Sequence, residues 1–232
     1  MNLPNVLTGA RIVVAPLIAW LALAGGWQLR FAGFWLFIAA AITDYFDGRV
    51  ARSRNLVTDL GRLLDPLADK LLLLATLLPM YVLMTPPGDL LLSAWPVEST
   101  PRAAVSQFPF VTPFGRVGLP WYVLLIVLGR ELFMTVFRQA AARRGVVISA
   151  IGPAKVKTAF QSIWVGAALF WFFALTLARS QEWAGTEWRA FALFNGTVGL
   201  LSMVVAVALT VYSLALYIRR YGHLLGVGPR PG

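Results

Sequence analysis

A chain of 232 residues in which 59% are hydrophobic and 13% charged, with mean hydropathy +0.73, is too apolar for a soluble domain and is sized for one polytopic membrane unit. Its formal net charge of +10 raises nucleic acid as a partner, but no basic run with interleaved aromatics is present. Anionic headgroups and phosphorylated substrates suit the charge better, so membrane lipids and no nucleic acid are the expected partners. Cysteine is absent and His223 is the single histidine, which excludes disulfides and disfavours a zinc or soft-metal site.

In chain order, residues 4–24 form a first apolar segment, about long enough to cross a ~30 Å bilayer core. Ala22-Leu23-Ala24 looks like a signal-peptide cleavage site, but Arg11 comes late and the segment reads as a retained span. Asn5, Thr8 and Arg11 lie three apart on one face. They are either an accessory polar stripe turned toward a site or side chains snorkelling to the interface, and the sequence leaves both open. After a turn at Gly25-Gly26 and around Arg30, residues 31–53 form a second span with Asp44 and Asp47 in its last turns. A polar loop follows, and a third span over 58–84 opens with Asp65 and Asp69 and is wholly apolar after Lys70, so both carboxylate pairs lie on one membrane side.

Seven prolines break residues 85–120, with Trp95, Phe108, Phe110 and Phe114 among them. This predicts a long extracytoplasmic loop resting on the interface through its aromatics. Further spans are expected over 121–144, 149–177 and 188–221, followed by a flexible tail at 222–232. The predicted fold is therefore all-α, a six-transmembrane-helix bundle in a single domain over 1–221. With six spans, the basic residues at 49–62, 138–157 and 219–230 outnumber Arg30, Arg102, Arg116, Arg179 and Arg189 on the opposite side. The first group is cytoplasmic by the positive-inside rule, and the acidic stretch with it. No internal repeat of the halves, and no pair of broken helices of the transporter kind, is evident.

The chemistry concentrates between Thr43 and Lys70, which hold half of the ten carboxylates. Asp44 and Asp47 are three residues apart and Asp65 and Asp69 four apart, so each pair shares a helix face. Carboxylates so placed repel one another unless protons or cations neutralise them. Hard divalent cations, magnesium or manganese, match the oxygen donors, and two of them can clamp the attacking and leaving oxygens of a phosphoryl displacement. Taken singly, Gly48 and Gly61 would mark close helix packing, and Arg52 would be a headgroup anchor. A cation-coupled transporter is the rival reading of intramembrane carboxylates, though a cation pathway needs no arginine beside the acidic cluster.

The spacing Asp44-x-x-Asp47-Gly48-x-x-Ala51-Arg52, then eight residues, then Gly61-x-x-x-Asp65-x-x-x-Asp69 resembles the signature of the CDP-alcohol phosphotransferases at all eight positions. These are membrane enzymes that join a CDP-activated lipid or alcohol to a second alcohol and release CMP. The resemblance implies that Asp44, Asp47, Asp65 and Asp69 hold two divalent ions, Mg2+ or Mn2+, that Asp69 is also the general base, and that Gly48, Ala51, Arg52 and Gly61 receive the CDP moiety. It also implies a bacterial inner-membrane location and, from the family's tendency toward dimers, a homodimer.

The run Leu64-Asp65-Pro66-Leu67-Ala68-Asp69-Lys70 is similar to the bacterial phosphatidylglycerophosphate synthases within that family. So are Gly129-Arg130-Glu131, Arg138 and Gly152-x-x-Lys155-x-Lys157-Thr158-x-x-Gln161. The substrates so implied are CDP-diacylglycerol and sn-glycerol 3-phosphate, with inositol phosphate, inositol or serine as alternative acceptors. Arg138, Lys155 and Lys157, with Arg130, are the expected pocket for the acceptor phosphate, cations on the same membrane side as the carboxylates. Arg130 and Glu131 lie deeper in an apolar segment, where an ion pair is as natural as substrate contact. Residues 85–120 and the tail fall outside the resemblance.

Overall fold

The computed structural model describes residues 3–53, 59–85, 108–146, 148–149 and 152–222. Within them, side chains are described for 8–43, 64, 66–85 and from 108 onward. Six helices are present among the described residues: α1 (Leu3–Leu23), α2 (Trp27–Ser53), α3 (Asp59–Met84), α4 (Trp121–Arg143), α5 (Gly152–Ser180) and α6 (Thr186–Tyr221). Between α3 and α4 stands one antiparallel hairpin, β1 (Phe110–Thr112) and β2 (Gly115–Val117). The tail expected at 222–232 lies outside the described residues apart from Gly222.

Three helical stretches are long and apolar enough to cross a membrane on their own: Pro66–Met84, Gly152–Ser180 and Thr186–Tyr221. Thr8–Leu23 and Trp27–Thr43 are shorter apolar helices. At 36 residues α6 is about 54 Å long, more than a bilayer core requires, so part of it extends past the hydrocarbon. Two of its buried hydroxyls return to its own backbone: Ser202 Oγ donates to Val198 O at 2.7 Å and Thr210 Oγ1 to Ala206 O at 2.6 Å.

Helix α1 packs against α2 and α3, α2 against α5, and α5 against α6. The main core joins Ile18, Phe37, Leu77, Met80, Trp164 and Phe172, and a smaller cluster of Met134, Phe137, Ala141, Ile148 and Tyr217 ties α4 to the far end of α6. Helix α2 begins at Trp27, four residues before the expected start, so Arg30 belongs to its first turn rather than to a connecting turn. Arg30 is buried. Its Nε donates to Ala22 O at 3.2 Å, its Nη1 to Thr176 Oγ1, and its guanidinium lies 4.4 Å from the centre of the Phe108 ring.

The described part of 85–120 corrects the expected interfacial loop. Phe108 and Phe110 are fully buried core residues, and Phe114 at the hairpin tip is the exposed one. Two backbone bonds anchor this segment: Phe108 N–H donates to Leu83 O at 3.1 Å and Leu119 N–H to Met84 O at 2.9 Å. They satisfy carbonyls that the last turn of α3 leaves without intrahelical donors. Trp171 Nε1 donates to Pro109 O at 3.1 Å, fixing the hairpin to α5. The turn closes through Thr112, whose Oγ1 donates to Gly115 O at 2.8 Å and accepts from Phe114 N–H at 3.2 Å, with Gly115 at φ 113°.

Strand β1 lies directly on α6 because that helix presents glycines to it. A Cβ at Gly196 would stand 2.0 Å from Val111 O, and one at Gly199 2.4 Å from the Phe110 ring. Backbone contact of this kind has no side chain to move aside. Gly196→Leu should therefore unseat the hairpin and lower the detergent-solubilised protein's thermal midpoint by the equivalent of about 1–3 kcal/mol or more. Gly166→Ala, whose new methyl would meet Phe37 at an ordinary 3.8 Å, should leave the midpoint unchanged or raised. Equal midpoints for the two variants would show that β1 is not seated as described.

Candidate active site

Asp69 stands on α3, three residues past Pro66, at the rim of a cavity of ≈ 220 Å³ between α2, α3, α4 and α5. Phe37 and Ala41 of α2 and Leu72, Leu73 and Thr76 of α3 form its apolar wall. Glu131 of α4 and Lys157, Thr158, Gln161 and Ser162 of α5 form its polar wall. The helical period explains both sides: Asp69 and Thr76 are seven apart on α3, and Lys157 and Gln161 four apart on α5.

The Asp69 side chain is 59% exposed, and Arg11 Nη1 donates to its Oδ1 at 3.0 Å. Arg11 itself is buried, as is Thr8 one turn earlier on α1. Of the two readings of the Asn5, Thr8, Arg11 stripe, the structure gives Arg11 the inward one; the Asn5 side chain lies outside the described residues. A charge placed in an apolar helix is tolerated here because it meets an opposite charge at the cavity.

Glu131 is the centre of the polar wall. Its Oε1 accepts from Arg130 Nη1 at 2.9 Å and from Lys157 Nζ. Arg130 also reaches across to α6, its Nη2 donating to Ser213 Oγ at 3.3 Å. Lys157 and Arg130 are both buried, and Arg130 and Arg138 are near enough to Lys157 to repel it. Arg138 is exposed and donates through Nη2 to Tyr217 Oη at 3.4 Å, while Tyr217 Oη donates to Ser149 O at 3.3 Å. Lys155 is exposed on α5 and does not line the cavity.

The rest of the signature is placed by backbone alone. Asp44, Asp47, Gly48, Ala51 and Arg52 occupy the last turns of α2, and Gly61 and Asp65 the first turns of α3, both helical; their side chains lie outside the described residues. Asp69 is thus the one of the four carboxylates whose side chain is described, and among the described residues no three metal-ligating side chains come together. The donor set suits a hard cation, since all four groups offer carboxylate oxygen and the Asp69 carboxylate is open at the cavity rim.

Four contributors lie outside the residues that sequence reasoning assigned to the site. Glu131 reads in sequence as an ion-pair partner and turns out to organise the cavity wall. Thr158 and Gln161 stand in the run that carries the resemblance but have no role assigned there, and Ser162 gives no signal of its own, although Gln161 lies one turn from Lys157 on the same helix face.

Comparison with known proteins agrees with the residues. The CDP-alcohol phosphatidyltransferase profile matches residues 1–212. A "CDP-diacylglycerol--glycerol-3-phosphate 3-phosphatidyltransferase 2" of Arabidopsis thaliana is 32% identical over 97% of this chain and 82% of its own length. A "Probable phosphatidylglycerophosphate synthase" of Mycobacterium tuberculosis is 33% identical over 71% of this chain and 64% of its own. A "CDP-diacylglycerol--glycerol-3-phosphate 3-phosphatidyltransferase" of Rickettsia typhi is 54% identical over 71 residues, 31% of this chain and 40% of that protein. With the profile covering nearly all of the described helices, the chain belongs to the CDP-alcohol phosphatidyltransferase family, an all-α membrane protein of that group.

Proposed function

We propose that this chain moves the phosphatidyl group from CDP-diacylglycerol to sn-glycerol 3-phosphate, giving phosphatidylglycerophosphate and CMP. The observation that carries the acceptor is the polar wall facing Asp69: Lys157 and Arg130 share the single carboxylate of Glu131, and Arg138 is near enough to Lys157 to add its charge. That cluster stays net positive after its internal pairing, which suits an acceptor whose phosphate brings about two negative charges. The printed names of the Arabidopsis, mycobacterial and rickettsial relatives point to the same reaction.

In this reading glycerol 3-phosphate enters the cavity with its phosphate toward Lys157 and its free hydroxyl toward Asp69. The Asp69 carboxylate, held by Arg11, takes the hydroxyl proton as the oxygen attacks the phosphorus that bears the lipid. A new P–O bond forms, the P–O bond to CMP breaks, and the electron pair leaves with CMP. Gly48, Ala51, Arg52 and Gly61 are assigned to the CDP moiety, with the glycines leaving backbone open to the diphosphate and Arg52 offering a planar fork of donors.

The family generally works with divalent metal ions. We assign two of them, Mg2+ or Mn2+, to Asp44, Asp47, Asp65 and Asp69; bound there, they would neutralise the diphosphate and the charge arising on the departing CMP.

We further propose that all six helices cross the membrane, α1, α2 and α4 completing the set, with the Asp69 end at the cytoplasmic face of a bacterial inner membrane. The excess of Lys and Arg at that end supports this orientation. A homodimer is expected on the family resemblance.

An acceptor panel tests the assignment directly: purified protein, labelled CDP-diacylglycerol and magnesium or manganese, with CMP release as readout. Glycerol 3-phosphate should support release, and release with inositol phosphate alone would overturn the acceptor. Asp69→Asn should cut turnover about 10²–10⁴-fold, the usual worth of a positioned base, and near-normal turnover would remove Asp69 from that role. Lys157→Ala should raise the KM for glycerol 3-phosphate and leave that for CDP-diacylglycerol unchanged. Arg130 still pairs with Glu131 in that variant, so it should remain monodisperse, and an effect confined to the CDP-lipid would count against the pocket.

A further inference from the structure

The end of the bundle away from Asp69 holds a second cavity, of ≈ 370 Å³, between the hairpin, α5 and α6. Arg116 of β2, Arg179 in the last turn of α5 and Arg189 in the first turn of α6 all line it. Arg179 stands about 33 Å along α5 from Lys157, so this cavity is remote from the active site and shares no lining residue with it.

Its cations and its apolar residues are layered. On α5, Trp171, Leu175 and Arg179 recur every four residues along one face, with the arginine outermost. On α6, Arg189 is followed one turn inward by Ala192 and Leu193. The result is a cationic rim above an apolar floor. The floor is rigid: Trp171 stacks on Trp188 with centroids 5.7 Å apart and planes within 6°, and is tied to Pro109. Leu193 is exposed, and its neighbour Phe194 is 69% exposed, so the cavity opens onto an apolar outer surface.

The rim concentrates positive charge. Arg116 and Arg30 both lie close enough to Arg179 for mutual repulsion, and Arg30 and Arg179 share the Phe108 ring at 4.4 and 5.1 Å. Among the described residues Arg116 and Arg189 take part in no ion pair. An anion between the Arg116 and Arg189 guanidiniums offsets their like charge, and a basic pocket between helices that opens onto an apolar outer surface suits a lipid headgroup.

We propose that this cavity binds one anionic phospholipid, its phosphate between the Arg116 and Arg189 guanidiniums in the field of Arg179, and its glycerol and first acyl carbons over Leu175, Ala192 and Leu193. A free phosphate would use the rim alone; the apolar floor selects the lipid. The site is independent of the reaction assigned to Asp69.

Native mass spectrometry of the full chain in neutral detergent, titrated separately with phosphatidylglycerol, phosphatidylcholine and inorganic phosphate, reads this directly. The parent should bind phosphatidylglycerol in preference to phosphatidylcholine. The double variant R116Q/R189Q should bind its tightest phosphatidylglycerol about tenfold more weakly, with phosphatidylcholine unaffected and CMP release unchanged. Both residues are exposed, and Arg179, which packs on Phe108, is left in place, so the variant keeps its fold; an unchanged thermal midpoint verifies this. Parent-like affinity in the double variant would overturn the proposal. So would phosphatidylcholine binding as tightly as phosphatidylglycerol, or millimolar phosphate displacing the lipid from the parent, which would make the rim a free-anion site.

Discussion

The Glu131 carboxylate is the constraint on which the rest of the site depends. It is largely removed from water, and a carboxylate there is tolerable only with cationic donors in contact. Lys157 from α5 and Arg130 from its own helix supply them, and Arg130 continues to Ser213 of α6. One acid therefore couples α4, α5 and α6 through groups that would each be stranded if the others moved. Helix α4 lies against its neighbours less extensively than α5 and α6 lie against each other, so this polar junction weighs in the placing of α4 beside the cavity facing Asp69.

The two ends of the bundle are built by different means. At the Asp69 end, charged side chains meet across helices: Arg11 of α1 on Asp69 of α3, and the triad around Glu131. At the opposite end, backbone meets backbone. The hairpin is pressed onto α6 over Gly196 and Gly199, pinned to α3 at Leu83 and Met84, and roofed by stacked tryptophans. The first arrangement leaves polar groups available around an open volume, and the second closes the core.

Much of this was readable before any coordinates. The carboxylate spacing carries its own chemistry, and helices α3, α5 and α6 announce themselves by apolar length, while α1 and α2 show shorter apolar runs. The hairpin did not, because seven prolines with scattered aromatics look the same whether those rings lie on a membrane surface or, like Phe108 and Phe110, fill a core. Nor did Gly196 and Gly199, whose neighbour is a strand that nothing in that stretch of sequence signals. Arg11 was ambiguous for a physical reason: a cation one helix turn from Thr8 gains equally from headgroups or from a buried acid, and only the packing of α1 on α3 decides. Arg138 and Lys155, equally basic in sequence, separate from Lys157 because the helical period carries them to exposed faces while Lys157 turns inward.

The bonds from Phe108 and Leu119 to Leu83 and Met84 bear on the entropy of closing the chain at this face. The chain leaves α3 after Thr85 and is tied back onto the same helix turn at Phe108, so departure and return points are neighbours in space. Closing a loop between such points becomes harder only slowly as residues are added. Whatever path joins Thr85 to Phe108, the entropy lost in closing it adds little to the cost of assembling the bundle, and the two anchors alone fix where it must begin and end.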